Sequence, residues 1–99
     1  MWDVDFDEFG MHPAVVLSVN RMNSKLGHVA VVPVTGTPGP EQTHVPLTSD
    51  AGFTRYQESF ADVTALQPVD RARILARRGL LTGSELDRLA RQLSVYLDL

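Results

Sequence analysis

A mainly β fold closed by a C-terminal α-helix is what the sequence predicts, on three observations. Apolar and acidic residues alternate with period two from Trp2 to Asp7. Two longer apolar runs, residues 13–19 and 28–35, are separated by a connector of eight residues holding two Asn, a Ser and a Gly. Near the end the period changes, and Leu86, Leu89, Ala90, Leu93 and Leu97 recur at helical spacing. A strand-rich barrel or curled sheet with a terminal helix follows. The 99 residues are too few to divide into two cores, so residues 1–99 form one domain. A core of that size is only modestly stabilising, and pairing with a second copy would help it.

The elements follow in order. Trp2, Val4 and Phe6 alternate with Asp3, Asp5 and Asp7, as in a half-buried strand with a solvated acidic face. A turn containing Gly10 comes next. The run at 13–19 is nearly all apolar, as expected of a central strand covered on both faces, with Pro13 confined to its first position because it donates no ladder hydrogen bond. Residues 28–35 make a second such strand, broken after Thr35 by two Gly and two Pro. Residues 43–47 form a short third partner, and residues 60–66 and 74–75 carry weaker strand patterns. Thr82 followed by Glu85 is a capping-box pattern that starts the helix near Gly83. Its polar face mixes Asp87, Arg88, Arg91 and Asp98, which suits packing on a sheet better than lying on a membrane.

Composition excludes several function classes. With no Cys there is no disulfide framework, thiolate zinc site or cysteine nucleophile. No apolar run approaches the roughly 18 residues of a membrane span, and no secretory leader opens the sequence, so a soluble cytoplasmic protein is expected. The net charge of −3 argues against wholesale duplex binding. That charge is uneven. Residues 1–50 hold two bases and six acids, whereas residues 71–78 hold four Arg and no acid. Such a basic element is either solvated charge or a grip for a short anionic ligand.

Candidate chemistry sits at the open end of the central hairpin. With the turn centred between residues 23 and 24, antiparallel partners sum to about 47. His12 and Thr35 are then opposite one another, each where a strand meets a Gly-containing loop. An imidazole exchanges protons near neutrality and a hydroxyl can bond a phosphate oxygen, so the pair suits attack on a phosphodiester. His28 and His44 have no Asp, Glu or second His at ligand spacing, so no metal site is expected. No P-loop, HExxH, GxGxxG or GxSxG motif occurs.

The order of the pieces resembles the MazF/PemK family of bacterial toxins. The opening Trp2-Asp3-Val4-Asp5-Phe6-Asp7, then His12-Pro13-Ala14-Val15-Val16-Leu17-Ser18, Val32-Pro33-Val34-Thr35, Asp70-Arg71-Ala72-Arg73-Ile74 and the terminal Leu80-Leu81-Thr82…Glu85-Leu86 carry the likeness. The resemblance implies an SH3-like barrel of the CcdB/MazF/PemK type with a C-terminal helix, acting as a homodimer. It also implies a metal-independent endoribonuclease that cuts single-stranded RNA without a cofactor. In this family the 2′-hydroxyl attacks the adjacent phosphate, leaving a 2′,3′-cyclic phosphate and a 5′-hydroxyl. A cognate antitoxin with an acidic C-terminal segment would occupy the RNA groove. The implied catalytic pair is His12 and Thr35, with RNA contacts from Ser18, Gly36, Thr37, Thr64, Arg71 and Arg73.

One departure matters chemically. His12 stands where the family typically has Arg, and an imidazole is only partly cationic at neutral pH. Arg21 lies beyond the far end of a strand roughly 23 Å long (seven residues at about 3.3 Å) and cannot easily stand in. His12 is therefore expected to take over proton transfer. Thr64 and Ala65 also stand where the family often has an acidic residue and Gln. Two other readings compete: a non-enzymatic CcdB-like gyrase poison, and a catalytically weakened homologue that acts by binding a partner protein. The first is disfavoured because such poisons carry a Trp close to the C-terminus, and Trp2 is the sole Trp here.

Overall fold

Valine-rich strands build the centre of a curled antiparallel sheet. The computed structural model describes residues 1–7, 10–17, 27–47 and 59–98. Its strands are β1 (Trp2–Asp5), β2 (Met11–Val16), β3 (His28–Thr35), β4 (His44–Leu47), β5 (Ser59–Asp62), β6 (Gln67–Asp70) and β7 (Ile74–Arg77). One helix, α1 (Gly83–Tyr96), follows, and single 3₁₀ turns at Val63–Ala65 and Arg71–Arg73 flank β6. The strand order is β4-β5-β3-β2-β1-β7, with β6 also on β3.

The register of the central pair agrees with the expectation from sequence: Ala14 faces Pro33, Val15 faces Val32 and Val16 faces Val31. Along its other edge β3 changes partner. Its first half, His28 to Val31, pairs with β6, and its last two residues, Val34 and Thr35, pair with β5. The 3₁₀ turn at Val63–Ala65 makes that change possible by offsetting β6 from β5. Asp62 caps the turn, its carboxylate accepting from the Thr64 N–H at 3.0 Å.

Side-chain alternation gives the sheet two apolar faces. Val4, Phe6, Ala14, Val31 and Val69 pack together on one, with Trp2, Val16 and Ile74 at its margin. Val15, Val32, Val34, Val45, Leu47, Ala61 and Val63 pack on the other, where Leu89 of α1 completes the core. The expected capping box is present. The Thr82 hydroxyl accepts from the Glu85 N–H at 3.1 Å, and the Glu85 carboxylate accepts from the Thr82 N–H at 2.7 Å.

Four expectations need correction. The strand pattern at residues 60–66 is realised only as far as Asp62, where the 3₁₀ turn at Val63–Ala65 takes over. Pro13 is the third residue of β2, not its first. It is tolerated there because the β2–β3 ladder ends at Ala14 and Pro33, leaving no bond towards β3 for the missing N–H to make. Strand β6 was not expected at all. The helix stripe is also narrower than its spacing suggested: Leu89 is buried and Leu93 packs on the core, whereas Ala90 is exposed and Leu86 and Leu97 are 49% and 45% exposed. A straight helix touches a curled sheet along little more than one line, so the outer members of the stripe stay in solvent.

Candidate functional site

The two central strands part company at their open ends. Beyond Ala14 and Pro33 each turns to its outer neighbour, His12 pairing with Val4 of β1 and Thr35 with Phe60 of β5. Pro13 contributes to the parting, since the next pair of the ladder, Pro13 and Val34, would need the N–H that Pro13 lacks. A groove of about 780 Å³ opens there, and His12 and Thr35 both line it. The predicted residues Gly36 and Thr37 line it as well.

The Thr35 hydroxyl is oriented by the chain that follows it. Its oxygen accepts from the Thr37 N–H at 3.1 Å, so the turn at Gly36 folds back onto the side chain. With an acceptor site so filled, the hydroxyl's own proton remains to be donated to a ligand. The same bond engages the Thr37 amide. His12 is exposed, on the strand bordering the groove. The rigid β-sheet thus carries both groups, while the turns at either side supply the walls.

The predicted residues divide by position. Thr64 is exposed outside the groove lining, and its hydroxyl donates to Asp62 at 2.6 Å. Arg71 follows β6 at the opposite end of β3, where Asp70 faces His28 and the Arg71 N–H donates to the Gly27 carbonyl. Seven residues of strand, roughly 23 Å, separate that end from Thr35. Arg73 pairs with Asp5 and Asp7. Neither Arg71 nor Arg73 lines the groove. Ser18 lies outside the described residues.

These pairings connect two features that the sequence shows far apart. Strand β7 lies against β1, with Trp2 facing Arg77 and Val4 facing Ile74. The acidic face of β1 is consequently the counter-charge of the basic segment: Asp5 and Asp7 meet Arg73, and Asp3 meets Arg78 at 3.1 Å.

Among the polar residues that line the groove, sequence reasoning missed Ser59, Asp62, Gln67 and Arg78. Asp62 continues the β5 register opposite Pro33, which a strand ending at 62 would have revealed. Its second carboxylate oxygen lies 3.9 Å from the His44 imidazole, whose other nitrogen is 2.8 Å from the Thr43 hydroxyl. Gln67 donates to the Ala65 carbonyl at 3.2 Å, holding its amide at the groove wall. Arg78 had no local signal beyond its place in the basic run.

Comparison with known proteins agrees with this architecture. Over 100% of its length the chain superposes on 98% of the Mycobacterium tuberculosis toxin MazF-mt6, with a TM-score of 0.86 and 22% identity. It also superposes on a mycobacterial endoribonuclease solved in complex with its cognate antitoxin (TM-score 0.85, 18% identity, 99% of this chain and 90% of that one). A third likeness is to a MazE-MazF structure from Deinococcus radiodurans (TM-score 0.80, 21% identity, 97% and 89% covered). No curated protein sequence matches. The family described as PemK-like, MazF-like toxin of type II toxin-antitoxin system matches residues 2–97, from the first strand to beyond the end of α1. A match of that extent places the chain in the PemK-like, MazF-like toxin family of type II toxin–antitoxin systems.

Proposed function

We propose that the protein is a metal-independent endoribonuclease that cuts single-stranded RNA in the groove between β2 and β3. The single observation that carries this reading is the meeting of His12 and Thr35 in one groove where the central ladder ends. The 2′-hydroxyl of the bound strand attacks the adjacent phosphorus, forming the P–O2′ bond and breaking the P–O5′ bond. His12 accepts the 2′ proton and returns it to the leaving 5′ oxygen. Thr35 donates its hydroxyl proton to a non-bridging oxygen on which charge develops, already oriented by the Thr37 amide. The products are a 2′,3′-cyclic phosphate and a 5′-hydroxyl.

A cognate antitoxin with an acidic segment is the proposed inhibitor, filling the same groove, and the toxin acts as a homodimer in the cytoplasm. A mycobacterial neighbour is described as bound to its cognate antitoxin, which supports that partnership. No helix among the described residues is long and apolar enough to cross a membrane.

The test is incubation of the purified protein with a long single-stranded RNA in EDTA, followed by mapping of the ends. Discrete cuts bearing 5′-hydroxyls are expected. No cleavage, with antitoxin binding intact, would instead mark a homologue that acts by binding alone.

A further inference from the structure

Proton transfer by His12 leaves the groove short of permanent positive charge. A phosphodiester carries one negative charge and the phosphorane formed from it carries two, and an imidazole that accepts the 2′ proton has to start the reaction uncharged. Among the described residues that line the groove, Asp62 adds negative charge and Arg78 is the one Arg or Lys. We propose that Arg78 is the phosphate-binding cation of this groove, holding the RNA phosphate while His12 moves the proton. The inference rests on the ribonuclease reading above.

The position of Arg78 is built rather than incidental. Its backbone N–H donates to the Met1 carbonyl at 2.8 Å, which extends the β1–β7 contact by one residue beyond Trp2 and Arg77. Its guanidinium donates through Nη1 to the Asp3 carboxylate at 3.1 Å. Asp3 in turn faces Pro13 across the β1–β2 ladder, and Pro13 lines the same groove as His12. The cation is thus tied to the strand beside the one that carries the imidazole. Its side chain is only 31% exposed, so its charge is screened less than that of an arginine standing in solvent.

Arginine also suits the ligand better than lysine would. Its planar fork of five N–H donors matches two phosphate oxygens at once, and it stays charged at any working pH. Asp3 orients that fork. No bond to Arg78 is made or broken during the transesterification; it stabilises charge that grows on the phosphate as the P–O2′ bond forms.

The test uses an all-2′-deoxy oligonucleotide, which lacks the attacking hydroxyl and cannot be cut. Its binding to the full chain is measured against salt. Arg78→Gln should flatten the slope of log K against log salt by about 0.7, the value for one single-strand phosphate contact, whereas Asp3→Asn should not flatten it. Cleavage of RNA by Arg78→Gln should fall about 10²–10³-fold, and His12→Arg introduced beside it should restore the lost binding slope. In the unaltered protein the Arg78 side-chain N–H resonance should shift on addition of the oligonucleotide, a reading that needs no variant. Equal slopes for Arg78→Gln and the unaltered protein, or an unmoved Arg78 resonance in the saturated complex, would overturn the inference and leave the ribonuclease reading standing. Failure of the unaltered protein to cut RNA would overturn both, whereas cleavage of RNA without binding of the oligonucleotide would overturn the Arg78 inference alone.

Discussion

Ala14 faces Pro33, and that pair is the last rung of the ladder between β2 and β3. Everything proposed for the groove depends on where this rung falls. One residue more of pairing would draw Pro13 and Val34 together and narrow the cleft in which His12 and Thr35 sit. Pro13 lacks the N–H that this next pair would use, so the opening is written into the backbone chemistry.

Replacing His12 tests the proton carrier. His12→Ala should lower the rate of RNA cleavage by about 10²–10⁴-fold, the usual worth of a general acid–base group. Binding of an uncleavable strand should change far less, because the imidazole acts mainly on the reaction step. A His12→Ala protein that cuts RNA as fast as the parent would remove His12 from the mechanism.

Thr35 should behave as a donor in the transition state. Thr35→Val keeps the β-branched shape that β3 favours but loses both the hydroxyl proton and the acceptor of the Thr37 amide. A loss of about 10²–10³-fold in kcat with little change in KM is expected, and Thr35→Ser should recover most of it. A rise in KM alone would assign Thr35 to ground-state binding.

The parts of this protein that sequence pattern exposed are those whose neighbours are local or symmetric. The β2–β3 register could be read because the two strands are close neighbours in sequence, and the capping box because Thr82 and Glu85 are three residues apart. Strand β6 could not. Gln67-Pro68-Val69-Asp70 has one buried residue and a proline, and it becomes a strand only because β3 presents an unpaired edge from His28 to Val31. The groove divides in the same way. His12 and Thr35 were visible through the register, whereas Arg78 enters it because β7 crosses the chain to lie on β1, a pairing that no periodicity encodes.

The two sides of α1 should differ sharply in their worth to stability. Leu89 is 2% exposed and completes the larger apolar cluster, so Leu89→Ala should cost about 2–5 kcal/mol in urea unfolding. Leu86 belongs to the same sequence stripe but is 49% exposed, and Leu86→Ala should stay within about 0.5 kcal/mol. Equal losses would mean that Leu86 is covered in solution, as by a second copy of the chain.

The terminal ammonium of Met1 links stability to pH. It donates to the Gly79 carbonyl at 2.8 Å, yet burial lowers its pKa below the ordinary 8.0, with the Arg77 charge as a second cause. Between the lowered folded value and 8.0 the unfolded chain binds more of this proton than the folded one, so this group's contribution makes stability rise with pH across that window. The contribution is complete above 8.0 and is lost as pH falls through the folded value. Urea midpoints of the parent and Arg77→Gln, compared from pH 6 to pH 9, should differ in slope, the variant being flatter. Parallel slopes would deny the Arg77 coupling.

Gly39 and His44 should prove to be energetically coupled. The turn after β3 brings the Gly39 backbone against the His44 imidazole so closely that a methyl group at position 39 would collide with the ring. The ring has little freedom to retreat: Thr43 holds one nitrogen at 2.8 Å, Asp62 faces the other, and Phe60 meets it edge-on with centroids 6.3 Å apart. Gly39→Ala should therefore destabilise by about 1–3 kcal/mol, the cost of overpacking a filled site. His44→Ala removes the ring and with it the collision, so Gly39→Ala on that background should cost only a few tenths of a kcal/mol. A double-mutant cycle would then return a coupling of at least about 1 kcal/mol. Because Asp62 lines the groove, the displaced ring should also disturb RNA cleavage in Gly39→Ala, and that loss should exceed the loss in a variant equally destabilised at Leu93. Additive single-variant effects would show instead that the turn can move away from β4 without cost.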